Sequence, residues 1–171
     1  MKNILIPFLT AILLSISINS HSQAQLKIGH VDMNELLMAL PERDSAQVIL
    51  ENESKELELV LEEMTVAYNK LLDDYQKGLS SYSDVIKKAK ESEILDKQKR
   101  ISEFEQNATV TLQNRNAELV RPIYDKINKA INKIATENSF TYILDLSKGS
   151  VVFTSKDSQN INPLVLKTLK P

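Results

Sequence analysis

The chain has 171 residues, 42% of them hydrophobic, 26% charged and 5% aromatic, with no Trp and no Cys. These values point to a single domain with a modest core and exclude a disulfide scaffold, a lipoprotein acylated on cysteine and a disordered chain. A net charge of −2 excludes the basic footprint of a nucleic-acid binder, and three glycines with five prolines favour few long elements over many short strands.

The first element is "MKNILIPFLTAILLSISINSHSQAQ": Lys2, an apolar run from Ile4 to Ile18, then small and polar residues. That is the layout of a secretory signal peptide, with cleavage expected after Ala24 and Ser20-His21-Ser22 as the alternative. The competing reading is a membrane anchor. It is disfavoured because the run falls short of the ~18 to 20 apolar residues a span needs and contains Pro7, Thr10, Ser15 and Ser17. Without residues 1–24 the chain carries 20 basic and 23 acidic residues, a net charge of −3.

"LKIGHVD" (Leu26 to Asp32) suits a short strand, and "MNELLMAL" gives one or two helical turns, capped by Asn34 and interrupted by Pro41. From Glu42 to Lys77 nothing breaks a helix. Leu57, Leu61, Met64, Tyr68, Leu71 and Tyr75 recur at alternating spacings of 4 and 3, the repeat of a coiled-coil seam. One apolar stripe on so long a helix must lie against another helix.

"KGLSSYSD" (Lys77 to Asp84) reads as a hairpin tip. Gly78 stands where a helix C-cap wants it, and Ser83 or Asp84 can cap the return helix. That helix extends from about Val85 to Glu137, with Ile94, Ile101, Phe104, Ala108, Leu112 and Leu119 along one side. Pro122 marks where the projecting hairpin enters a compact base, because a mid-helix proline kinks the helix near its preceding turn. Beyond it Ile123, Ile127, Ala130, Ile131 and Ile134 form the broader apolar face of a helix on a sheet.

"FTYILDLSKGSVVF" (Phe140 to Phe153) reads as a β-hairpin turning at Lys148-Gly149. A last short helix is signalled by Asn162 as cap, Pro163 at the first helical position, and Leu164, Val165, Leu166 and Leu169. The expected fold is therefore α+β, mostly α: a β body of about three strands (25–41 and 122–171) bearing an antiparallel helical-hairpin arm (42–121).

No reaction chemistry stands out. His30 is the one histidine left after cleavage and sits in a strand; a lone His there is far more often structural than catalytic. There is no Gly-rich phosphate loop, and no His/carboxylate spacing for a metal. No enzyme activity and no cofactor are expected.

Residues 42–77 hold ten acids and four bases, residues 84–121 seven acids and eight bases. An acidic arm thus pairs with a neutral to basic one, charge selecting register more than adding stability. Lys87, Lys88, Lys90, Lys97, Lys99 and Arg100 form the basic cluster. It is read as facing the acidic outgoing arm, the alternative being a contact for anionic lipid headgroups or acidic client segments.

A small three-stranded sheet has open edges and too little surface to bury alone. Copies of the chain around an axis would close it, through Ile28, Val31, Ile143, Leu144, Val151, Val152 and Phe153.

Taken together, "LKIGHVDMNELLMALPE", the charged hairpin, "NAELVRPIYDKINKAINKIATENSFTYILDLSKGSVVF" and "NINPLVLKTL" resemble the Skp/OmpH family of periplasmic chaperones across the whole mature chain. The resemblance implies a homotrimer whose strands form a central body. Its helical arms would enclose unfolded outer-membrane β-barrel proteins in transit, without ATP. Well-known members are strongly basic, which suits acidic clients and lipopolysaccharide; at −3 this chain departs from them. The alternative reading is a structural or scaffolding coiled-coil protein of the cell envelope that binds folded partners through the arms.

Overall fold

The computed structural model describes residues 26–169; the expected signal peptide, 1–24, lies outside the described residues. In chain order they form β1 (Ile28–Val31), α1 (Met33–Met38), α2 (Pro41–Gly78), α3 (Asp84–Glu137), β2 (Tyr142–Asp145), a 3-10 turn (Leu146–Lys148), β3 (Gln159–Asn160) and α4 (Asn162–Leu169). The chain is α+β and mostly helical, as its periodicity predicts.

Local chemistry fixes most boundaries. Asp32, rather than the expected Asn34, caps α1: its Oδ1 accepts from the backbone N–H groups of Asn34 and Glu35 at 2.9 and 3.2 Å. Pro41 opens α2, where its missing N–H has no helical partner to lose. Gly78 is not a left-handed cap. Leu79 ends the helix in ordinary right-handed geometry, and a Cβ on Gly78 would collide with the ring of Tyr82. The glycine lets the tyrosine ring fold over the tip. α3 passes through Pro122 without a break over 54 residues, about 80 Å of helix.

The sheet departs from expectation. The hairpin over 140–153 does not form, and Val151, Val152 and Phe153 belong to no strand. Asp145 turns the chain out of the sheet: its carboxylate accepts from Ser147 N and Ser147 Oγ, both at 2.9 Å, and Gly149 closes the turn at φ 69°. The third strand is Gln159–Asn160, which pairs with the free edge of β1. The order is β2-β1-β3, with both pairings parallel; Ile28 stands opposite Tyr142, and Gly29 opposite both Ile143 and Gln159. A parallel neighbour needs a long crossover, and the whole helical hairpin is the crossover from β1 to β2.

The core lies between one face of this sheet, the second half of α3, and α1 and α4. Leu36, Ile127 and Val165 have no solvent exposure and Ile161 has 1%. Each such side chain contributes about 1.5–3 kcal/mol of burial. The expected face of α3 is there: Ile123, Ile127, Ala130, Ile131 and Ile134 are all buried. Gly29 is required by packing, since a Cβ there would lie 2.8 Å from the ring of Phe140.

Among the described residues Asn162 is the one buried polar residue, 1% exposed. It begins α4, and the capping acceptor is Asn160, whose Oδ1 receives Asn162 N–H at 2.9 Å. The Asn162 side chain turns inward instead. Its Oδ1 accepts from Asp32 N–H at 3.1 Å, and its Nδ2 donates to Asp32 O at 3.4 Å and Glu35 Oε2 at 2.6 Å. The amide continues the β1–β3 ladder by one side-chain rung and ties α4 to the start of α1.

Candidate functional site: the helical hairpin and the open sheet face

The seam of the hairpin follows the 3-4 spacing. Leu57, Leu61, Met64, Tyr68, Leu71 and Tyr75 of α2 are half-buried or buried while their neighbours face solvent, and Ile94, Ile101, Phe104, Ala108 and Leu112 answer from α3. Three polar contacts bridge the helices and fix the register. Arg115 Nε donates to Glu53 Oε1 at 2.8 Å, with Arg115 Nη1 on Glu118 at 3.3 Å. Nearer the tip, the Tyr75 hydroxyl donates to Glu91 Oε1 at 2.6 Å, which raises the tyrosine's pKa above its usual 10.0. At the root Lys126 donates to Glu42, and this hydrogen bond holds the Glu42 carboxyl below its usual 4.5. Beside the root a groove of about 760 Å³ opens between α1, α2 and α3, lined by Leu37, Leu50, Val120 and Tyr124 with Arg43 and Arg121 at its edge.

That register separates the charges along the arm. The basic cluster faces the acid-poor end of α2, where Asp74 is close enough to act on Lys90. Lys87 to Arg100 lie at the tip, opposite the end of α2 and the turn after it, residues 67–80, with two acids and two bases. Lys87, Lys90 and Lys97 share the seam side with Ile94 and Ile101 and are half-buried; Lys88, Lys99 and Arg100 are exposed. Among the described residues the ion pairs of this cluster stay within α3: Lys90 with Glu93 at 3.0 Å and Lys99 with Glu103 at 3.7 Å. The Lys90 ammonium is held above its usual 10.5 by that hydrogen bond to Glu93. The acids of α2 concentrate lower on the arm, between Glu51 and Glu63.

The sheet has one covered and one open face. Gly29 and Val31 are buried against the helices, and Val31, 2% exposed, is enclosed in the core of its own chain. Ile28, Tyr142 and Leu144 point the other way and are 43, 58 and 40% exposed. The segment after β2 passes along this open face, Val151 and Phe153 sharing a small cavity there with Ile28, His30 and Leu144. Val152 and Phe153 are 97 and 81% exposed. Ile143 is half-buried on the covered side.

Among the described residues no helix is long and apolar enough to cross a membrane. Fold and surface together define a class: a small parallel sheet carrying a very long helical hairpin, with its chemistry in distributed apolar and charged surface. The particular family follows from comparison, since residues 27–169 match the model of the outer membrane protein (OmpH-like) family, and the chain belongs to that family. It is 26% identical over 157 residues to Chaperone protein Skp of Photorhabdus luminescens, covering 92% of this chain and 93% of the relative. It is also 26% identical over 170 residues to Chaperone protein Skp of Photorhabdus laumondii, covering 99% and 100%. A solved structure from Caulobacter crescentus CB15, described as an outer membrane chaperone (OmpH-like), superposes with a TM-score of 0.69 at 10% identity, covering 83% of this chain and 82% of that one. That likeness is one of fold.

Proposed function

We propose that the protein is an ATP-independent holdase of the periplasm, exported by the signal peptide at 1–24, that binds unfolded outer-membrane β-barrel proteins and keeps them from aggregating in transit. The observation that carries this reading is the aliphatic surface of the arms. Val48, Leu59 and Val66 on α2 and Val85, Leu95 and Val110 on α3 are 53 to 78% exposed. Singly such residues are unremarkable. Spread along two long helices they offer an unfolded chain many weak, exchangeable contacts, and a client held that way leaves when its own folding offers better burial. The names of the Photorhabdus relatives support the same reading.

The body is proposed to close as a homotrimer. The open sheet face with Ile28 and Leu144, together with Val152 and Phe153, is apolar surface that a lone protomer leaves in water, and the outer edges of β2 and β3 have unpaired backbone groups. Native mass measurement with and without a urea-unfolded β-barrel protein tests both statements. The expected result is three copies of the chain and, on dilution, suppressed client aggregation without nucleotide. A stable monomer refutes the assembly, and undiminished client aggregation refutes the holdase.

A further inference from the structure

Residues 48–67 of α2 hold six acids and one base, and three pairs of adjacent apolar residues that face solvent: Val48-Ile49, Leu59-Val60 and Val66-Ala67. The pairs are separated by 11 and 7 residues, about three turns and two turns of helix, so they repeat on one side over roughly 27 Å. Counted at 100° per residue, Val48, Leu59 and Val66 lie opposite the seam, whose residues Leu57, Leu61, Met64, Tyr68, Leu71 and Tyr75 centre on the far side of the helix. They are 56, 60 and 61% exposed, and Ile49 and Val60 beside them 40 and 42%.

The same count sets Glu51, Glu58 and Glu62 along one flank of the Val48-Leu59-Val66 row and Glu56 and Glu63 along the other, between that row and Ile49 and Val60. All five are exposed, and among the described residues none is in an ion pair. Their hydrogen bonds are local and neutral: Gln47 donates to Glu51 and Ser54 to Glu58. Glu53, the sixth acid, is committed to Arg115 at the seam. The one base, Lys55, lies on the row itself between Val48 and Leu59, and five exposed carboxylates against one ammonium leave the band an apolar row in a strongly acidic surface.

Resting on the holdase reading above, we infer that this band of α2 is a client-binding surface selective for extended apolar segments interspersed with lysine or arginine. Apolar side chains of the segment lie on Val48, Leu59 and Val66, and its cations meet the glutamate rows on either side. A segment carrying carboxylates at the same positions is repelled. The opposite sign of the tip, where residues 68–100 hold six acids and eight bases, confines the preference to the lower arm.

The test uses the full mature chain and two fluorescein-labelled peptides of about 16 residues, in which Leu, Val and Tyr alternate with Lys in one and with Glu in the other. Three exposed charge pairs of ordinary strength amount to about tenfold in affinity. By anisotropy at low salt the Lys peptide is expected to bind about tenfold more tightly than the Glu peptide, and the gap to close as salt rises. Glu58→Lys/Glu62→Lys/Glu63→Lys abolishes or inverts the preference; Leu59→Ser/Val66→Ser weakens binding of the Lys peptide. Both variants change solvent-facing positions, and circular dichroism checks that their helicity is kept. Equal binding of the two peptides, or a preference untouched by the charge reversal, overturns the inference. So does a changed native mass of the Leu59→Ser/Val66→Ser variant without peptide, which would make the band a contact between copies. If an unfolded β-barrel protein is still held while the peptides are not distinguished, the selectivity alone fails. If no unfolded chain is held, the holdase reading fails with it.

Discussion

Replacing Asn162 by alanine tests the claim that one buried amide joins the two ends of the described chain. The side chain, 1% exposed, receives Asp32 N–H and donates to Asp32 O and Glu35 Oε2. Truncation leaves Asp32 N–H without its acceptor, deprives Glu35 of a charge-assisted bond, and opens a small void beside Ile161 and Val165. An orphaned buried group costs about 1–3 kcal/mol, so the sum is about 3–5 kcal/mol. Asn162→Asp sharpens the test: the acceptor survives, but a carboxylate now sits where the amide donated to Glu35 Oε2. It is expected to cost at least as much at pH 7 and to recover partly in acid, where one proton can bridge the pair. Urea unfolding at fixed protein concentration, followed by circular dichroism and tyrosine fluorescence, measures both. An Asn162→Ala midpoint equivalent to less than about 0.5 kcal/mol of change refutes the reasoning, because that is the range of an exposed substitution.

Ile127→Ala, at a site with no exposure, should cost about 2–5 kcal/mol in the same assay, whereas Val110→Ala, 53% exposed on the same helix, should stay within about 0.5. Gly78→Ala should expel the Tyr82 ring from the tip while gaining about 1 kcal/mol of helix propensity; near-neutral stability with an altered Tyr82 environment by NMR is expected, and an unmoved ring rules the packing out. Glu42 is held below its usual 4.5 by Lys126, so its contribution is complete above pH 4.5 and lost as pH falls through the lowered value. The stability gap between the parent chain and Glu42→Gln should therefore shrink in acid; equal gaps at pH 7 and pH 3 would contradict it.

The long helices were legible because a periodic stripe over many turns overrides local detail: residues 42–77 and 85–137 come within one residue of the observed α2 and α3. The third strand was not. Val151-Val152-Phe153 has a strand's composition and makes no ladder, while Gln159-Asn160 has a turn's composition and does. Strand propensity records how a side chain fits a half-buried pleat, and the sequence does not show which segment finds the free edge of β1. The diversion is set by Asp145, a residue that reads as an ordinary polar alternation but whose carboxylate binds Ser147. Asn162 likewise reads as a cap, because buried and capping asparagines look alike until the neighbouring strand is in place.

Whole-helix charge is a poor guide for a different reason. Totals taken over whole helices, −6 against +1, suggest complementary partners, but an antiparallel hairpin matches residues equidistant from its turn. By that measure the tip is basic on α3 and balanced on α2, whereas lower down residues 48–67 and 101–120 together hold nine acids and two bases. Like charge therefore faces like across the lower arm, and among the described residues the ion pairs between the two helices are Glu53 with Arg115 and Glu42 with Lys126. Exposed pairs of this kind contribute at most about 1 kcal/mol each. The apolar seam must then hold the hairpin together against a modest repulsion. An arm assembled by its seam leaves its outer carboxylates unmatched, and those are the groups free to choose what the aliphatic stripe between them binds.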